Sequence, residues 1–312
     1  MDSGKSYEFR QSVYSSANRI LNVNATDCAS TSCNCVYSYQ NKWEVNTEVC
    51  KGCFKFLKTR LKTRFGNTPI YVYDPKNDVF VSKSIIAKGE FDAEKIGQLL
   101  DYLKSDQNLN FIDIGANLGV FSLTVAKSGR KVLAIEALYK NVQRLCMSIS
   151  DGGLQSNLKV IYNAVSDKTG VVVNLGVDEN NMGGTFTLKI QRKLKKKITL
   201  KSAEHTDQLQ PLRWTNLLEL DDIKYFKNVV IKIDIEGFEY KAILGSERFF
   251  DNVKIKAVFM EWVFHKGKES GKGIIEFMLK RNFVPYSDNG KNILNTSESD
   301  KWELNIIWKR KE

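Results

Sequence analysis

Three groups of residues have the types and spacing to do chemistry. The first is Asp113-Ile114-Gly115-Ala116-Asn117-Leu118-Gly119. An apolar run ends in a carboxylate, and a glycine turn then opens a helical pattern. Glycines let the backbone approach a ligand closely, and a helix start offers unpaired N–H groups to an anion. The spacing D-x-G-x-N-x-G is not the G-x-G-x-x-G of a dinucleotide site, and an acid before the loop would repel a pyrophosphate. It suits the ammonium of a methionine moiety, whose carboxylate the helix N-terminus can receive. Asp113, Gly115, Asn117 and Gly119 are therefore expected to bind S-adenosylmethionine. The second group is Glu136, which ends the next apolar run and is placed to accept the ribose hydroxyls of a nucleoside. With it go Asn163 and Ala164, expected at the adenine edge. The third is the acidic stretch Asp234-Ile235-Glu236-Gly237-Phe238-Glu239.

The third group is expected to carry the catalysis. Methyl transfer needs an aligned acceptor, and a weakly nucleophilic acceptor gains from a general base. Asp234 and Glu236 are the first candidates, and His265 is the third. Lys232 shares a strand face with Asp234, and a buried lysine needs such a partner. Helix capping plus an ion pair is the plainer reading of the cluster. Asp234 with Glu236 or Glu239 could instead hold Mg²⁺; the expectation is a site without a metal. Gly4-Lys5-Ser6 is no P-loop, because the glycine such a loop requires upstream has no place there.

These residues need strands that end at one edge. Short apolar runs at 110–114, 132–135, 159–162, 229–235 and 257–260 alternate with helical patterns at 119–128, 138–150, 239–250 and 271–281. Such alternation defines an α/β, doubly wound, mostly parallel sheet with helices on both faces. Phe283–Tyr286 and Leu304–Trp308 read as a late edge hairpin. A first hairpin is expected from Ile70–Tyr73, a turn at 74–78 and Val79–Val81, followed by a helix over 91–103. Residues 171–220 break the alternation and read as an inserted hairpin or lid over the active face. They contain β-like stretches at 171–175, 185–190 and 198–200, and a basic run from Arg192 to Lys197.

In this order, Asp113 to Gly119, Glu136, Asn163-Ala164-Val165-Ser166-Asp167, Leu220-Asp221-Asp222 and Ile231 to Glu239 resemble the FkbM-type methyltransferases. The resemblance covers about residues 90–265, and D-x-E-G-x-E after an apolar strand is its most specific part. It implies a seven-stranded, Rossmann-like class I methyltransferase sheet and methyl transfer from S-adenosylmethionine to a hydroxyl of a sugar or small molecule. Ala137 stands where the family usually has proline, and Glu219 where it often has threonine.

The chain has 312 residues, 42% of them hydrophobic. That suffices for one α/β core with an appendage. Residues 1–65 read as a Cys-rich extension and 66–312 as the methyltransferase domain. Five of the six cysteines lie between Cys28 and Cys53, in the pattern C-x4-C-x-C followed later by C-x2-C; the sixth is Cys146. Disulfides, one zinc site or reduced thiols are all compatible with that spacing. No run approaches the roughly 18 apolar residues of a membrane span, and the first ten residues do not resemble a secretory signal. That reading favours the cytoplasm; disulfides in the extension would favour a secretory lumen, where Asn24 and Asn295 are N-x-S/T sites.

A net charge of +11 favours acidic partners. Together with Lys232, Asp234, Lys241 and Glu261 it raises RNA ribose 2′-O-methylation as the alternative to a small-molecule or glycan acceptor. The four prolines are never adjacent and none precedes a cysteine, which excludes amino-methylating DNA enzymes with a Pro-Pro pair and Pro-Cys cytosine chemistry. A catalytically silent carbohydrate- or protein-binding module is the reading from another class.

Overall fold

Runs of Val, Ile, Leu and Phe too short for a helix become strands buried on both faces, and amphipathic segments between them become the covering helices. The computed structural model describes residues 36–39, 42–51, 54–169, 173–178, 181–188, 208–209 and 212–311. The N-terminal part contains β1 (Val36–Tyr39), β2 (Trp43–Val45), a 3₁₀ turn (Glu48–Cys50), β3 (Leu57–Leu61), β4 (Thr68–Val72), α1 (Val81–Lys88) and α2 (Ala93–Lys104). The alternating part follows with β5 (Asn110–Ile114), α3 (Val120–Lys127), β6 (Val132–Glu136), α4 (Tyr139–Gly152) and β7 (Leu158–Tyr162). After β8 (Val173–Asp178), β9 (Asn181–Leu188) and β10 (Gln208–Leu209) come 3₁₀ turns at Trp214–Glu219 and Asp221–Tyr225. The chain ends with β11 (Asn228–Ile233), α5 (Glu239–Leu244), α6 (Glu247–Asn252), β12 (Lys254–Glu261), α7 (Glu269–Leu279), β13 (Phe283–Tyr286) and β14 (Asn305–Arg310).

The main sheet has nine strands in the order β13-β14-β12-β11-β5-β6-β7-β1-β2. It is thus a mixed sheet larger than the expected seven strands, with β12, β11, β5, β6 and β7 parallel and β13–β14 an antiparallel edge hairpin. Two more come from the extension: β1 adds parallel to β7, and β2 pairs antiparallel with β1. A seven-stranded sheet would leave the β7 edge open, and an open edge is a liability that proteins cover. Here the Asn163 side chain seals it, accepting from the Tyr39 N–H at 2.7 Å and donating to the Tyr39 carbonyl at 3.2 Å.

Two apolar layers flank the sheet. One includes Leu99, Leu103, Leu123, Val125, Val142, Leu145 and Ile149 from α2, α3 and α4. The other includes Ala242, Ile243, Phe249, Phe250, Ile274 and Met278 from α5, α6 and α7, with Trp214 and Leu217. The helical stretch expected over 239–250 is broken at Gly245, where a Cβ would lie 2.3 Å from the Ser166 carbonyl oxygen.

Two expectations are corrected. The first hairpin is β3 with β4, and Val79–Val81 is no strand. Asp78 accepts from the Val81 and Ser82 N–H groups and so starts α1 with its side chain, which overrides the β-branched character of the segment. The second concerns the cysteines: Cys50 is bonded to Cys146 of α4, with the Cα atoms 5.8 Å apart, so the cluster reaches outside itself. Cys28, Cys33, Cys35 and Cys53 lie outside the described residues. The inserted segment does contain a hairpin, β8 with β9, with β10 beside β8; the basic run at 192–197 and the stretch at 198–200 lie outside the described residues.

The disulfide closes a loop of 96 residues in sequence between two fully buried sulfurs. Such a link mainly constrains the unfolded chain. Replacing Cys50 and Cys146 together by alanine is expected to lower stability by about 2–4 kcal/mol, read as a lower denaturant midpoint.

Candidate active site

Because β12, β11, β5, β6 and β7 are parallel, their C-terminal ends form one row, and the winding reverses between β5 and β11. A crevice opens at such a reversal. Here it is a cavity of about 710 Å³ lined in strand order by Glu261, Asp234, Gly115, Glu136 and Asn163. Phe80 and Val81 at the start of α1, Phe91, Asp92 and Lys95 around the start of α2, and Leu175 of β8 also line it.

The glycine loop is built as its composition demands. Gly115 has φ +81°, and a Cβ there would lie 1.9 Å from the Asp234 carbonyl oxygen, so no other residue fits without moving β11. Asn117 is left-handed at φ +53°, a conformation asparagine tolerates. Its backbone N–H donates to Glu136 Oε2 at 2.7 Å. Glu136 Oε1 accepts from the Leu138 N–H at 2.8 Å and from the Asn141 amide at 3.3 Å. Burial raises the Glu136 pKa, while these donors pull it down. Gly119 caps α3 at φ +85°.

Asp113 is placed differently from a direct ligand contact. It faces α3, is 1% exposed and does not line the cavity. Its Oδ2 accepts from Ser122 Oγ at 2.6 Å, and its Oδ1 lies 3.5 Å from Lys232 Nζ. Lys232 stands opposite Asp113 in the β5–β11 register and is 3.3 Å from Asp234 Oδ2 and from the Gly115 carbonyl. Burial alone would lower the Lys232 pKa, but the Asp234 and Asp113 charges outweigh it and hold the ammonium above its ordinary range. The Lys232–Asp234 pairing read from strand alternation is therefore present, with Asp113 as a third member.

Asp234 and Glu236 both line the cavity. Glu236 is left-handed at φ +54° and Gly237 at φ +90°. Glu239 braces this turn from below: its Oε1 accepts from the Ile235 N–H at 2.9 Å and the Gly237 N–H at 3.3 Å. His265 is not a cavity residue. It is 1% exposed, with Nε2 2.7 Å from Glu239 Oε2 and Nδ1 2.9 Å from Ser270 Oγ. It positions Glu239 and has no access to an acceptor. Asn163 and Ala164 line the cavity, but the Asn163 amide group is engaged with Tyr39, so contact with a ligand there falls mainly to the backbone.

Glu261, Asp92 and Lys95 add further polar groups to the lining. Glu261 obeys the rule that singled out Glu136, an acid at the end of a parallel strand, and that rule applied to β12 would have found it. Asp92 and Lys95 belong to a helix start with no motif around them. Lys241 is not a lining residue; its ammonium lies 5.0 Å over the Phe238 ring. Among the described residues, no group of three or more His, Cys, Asp or Glu is arranged to hold a metal ion.

A doubly wound sheet with a glycine loop and acids at successive strand ends is a Rossmann-like fold with a crevice at its switch point. The methyltransferase FkbM domain matches residues 113–285, more than half of the chain, and the protein belongs to the FkbM methyltransferase family. No curated protein sequence matches it significantly. Among solved structures it is similar to the O-methyltransferase from Bacillus cereus in complex with SAH, at 13% identity over 70% of this chain and 80% of that one, with a TM-score of 0.37. It is also similar to precorrin-6y C5,15-methyltransferase from Geobacter metallireducens, at 10% identity over 76% and 96% of the two chains, with a TM-score of 0.36.

Proposed function

We propose that this methyltransferase uses S-adenosylmethionine to methylate a hydroxyl group of a sugar or another small molecule. The observation that carries the reading is the row of acids across one cavity, with Glu136 at one end and Asp234, Glu236 and Glu261 at the other. The donor set fits the ligand. Both Glu136 oxygens already accept backbone N–H groups, which fixes the carboxylate; Oε1 is filled by Leu138 and Asn141, and Oε2, with one donor from Asn117, keeps a lone pair for a ribose hydroxyl. The acidic far end opposes a pyrophosphate and suits a sulfonium cation. Gly115 to Asn117 and the start of α3 would face the methionine carboxylate, and Asn163 and Ala164 the adenine edge.

When bound, S-adenosylmethionine supplies an electrophilic methyl group, which leaves sulfur as the acceptor oxygen attacks. The protein's part is to align the acceptor and remove its proton. Asp234 is the base that this arrangement favours. It is 41% exposed, so a proton it takes can pass to solvent. Its Oδ2 is fixed by Lys232, whose own place is set by Asp113.

Calorimetric titration with S-adenosylmethionine tests the reading. Wild type is expected to bind, and a folded Glu136→Ala variant to bind roughly 100-fold more weakly, because hydrogen bonds to a charged group contribute about 1.5–3 kcal/mol each. Absence of binding by folded wild type would sink it.

A further inference from the structure

The parallel register of β11 and β12 sets Ile233 opposite Met260. The next residues, Asp234 and Glu261, therefore emerge side by side at the strand ends, and both line the cavity. Two carboxyl groups held side by side cannot both ionise cheaply, so they favour a state with one proton between them. Burial comes first in raising Glu261, followed by the charges of Asp234, Glu236 and Glu239, and together they push its pKa up to about 9. The Lys232 ammonium stands against Asp234 on the other side, so Glu261 is the member that carries the proton. From β14, the residue opposite Glu261 is the uncharged Asn305. The second oxygen, Oε2, is buried and has no hydrogen-bond partner within the protein. A buried acceptor left in that condition is costly unless something fills it, and its residue lines the cavity.

We propose that Asp234 and Glu261 form one proton-sharing pair, in which Glu261 holds the acceptor hydroxyl through Oε2 and relays its proton to Asp234. The proposal rests on the methyl-transfer reading above and adds a residue to it. The proton balance is simple. As the acceptor oxygen gains the methyl group, its proton passes to Glu261 Oε2, the proton on the other Glu261 oxygen passes to Asp234, and Asp234 releases it to solvent. The pair begins and ends with one proton. Glu236 and Glu239 keep that proton in place by raising the cost of a second negative charge, and Lys232 keeps the negative charge on Asp234.

The test needs no acceptor. S-adenosylmethionine and S-adenosylhomocysteine differ by the methyl group and its positive charge. Their affinities are measured calorimetrically at pH 7 and pH 10, for wild type and for Glu261→Gln. Ionising Glu261 beside the sulfonium should raise the wild-type preference for S-adenosylmethionine by roughly fivefold or more relative to the variant. The ligands' own titrations are common to both proteins and cancel. A pH response of the same size in both proteins, with binding intact, overturns the proposal while leaving the methyl-transfer reading standing. Failure of wild type to bind either ligand overturns both.

A second measurement reads the shared proton directly. The unfolded chain ionises this residue above about pH 4.5, whereas the fold holds the proton up to about 9. The folded state therefore binds more protons across that interval, and wild type loses stability as pH rises through it. Glu261→Gln escapes that loss, so the two proteins should unfold at similar midpoints near pH 4 and diverge in favour of the variant by pH 7. Coincident midpoints at both pH values would show that no proton is held.

Discussion

Replacing Lys232 by methionine is expected to destabilise the protein by about 3–5 kcal/mol, the usual cost of stripping one partner from a buried ion pair. Lys232 stands between a carboxylate that is 1% exposed and one that faces the cavity. Without the ammonium, Asp113 keeps only the Ser122 hydroxyl and must either remain charged in an apolar layer or take up a proton. Burial already raises its pKa, and Lys232 is the largest influence opposing that rise. The double variant Lys232→Met with Asp113→Asn removes both charges and should recover a large part of the loss. Guanidinium unfolding of both variants at pH 7 checks this. A loss below about 1 kcal/mol in the single variant would mean that Asp113 is already neutral in the fold, and the three-membered arrangement would have to be redrawn with Lys232 serving Asp234 alone.

Asp113 also shows how far a motif can be read. The pattern D-x-G-x-N-x-G located the loop, because an acid, a glycine turn and a helix start are local features. Period-2 alternation decides which face Asp113 occupies, and it shares the α3 face with Phe111, away from the cavity; the motif alone does not carry that. Glu136 points into the crevice because it ends its strand and the loop folds over it. The five parallel strands were legible because each is a short apolar run bounded by polar residues. β1 and β2 were not, since Val36-Tyr37-Ser38-Tyr39 is half polar and gains its strand character from the β7 edge and from Asn163. Asn163 itself was legible as a strand-end residue, but its engagement with Tyr39 joins positions 124 apart in sequence. The same distance effect hid Cys50–Cys146. His265, the third candidate base, lies just beyond the end of β12; its burial depends on Trp262, whose ring centroid lies 5.7 Å away, and on α7 closing over it.

Glu239→Ala should cost a similar amount, about 3–5 kcal/mol, and should separate the two ends of the cavity. The carboxylate is fully buried and satisfies two backbone N–H groups and one imidazole nitrogen. Alanine leaves the Ile235 and Gly237 N–H groups and His265 Nε2 without this acceptor, and each unsatisfied buried group costs about 1–3 kcal/mol. Glu239→Gln should lose much less, because its carbonyl oxygen can still receive the turn and its amide can donate to a neutral His265. The turn these bonds hold contains Glu236 in the left-handed region, which a non-glycine residue adopts only when its surroundings impose it. Once released, Glu236 can return to an ordinary conformation and carry Asp234 away from Glu261. Glu136 is two strands away across the sheet and has its own backbone donors, so the nucleoside end should be spared. Unfolding curves together with S-adenosylmethionine titrations of the two variants distinguish the cases. Lost stability with retained ligand affinity is the expected pattern for alanine. Wild-type stability in Glu239→Ala would mean that the turn holds itself, and His265 and Glu239 would then have no part in placing the acids.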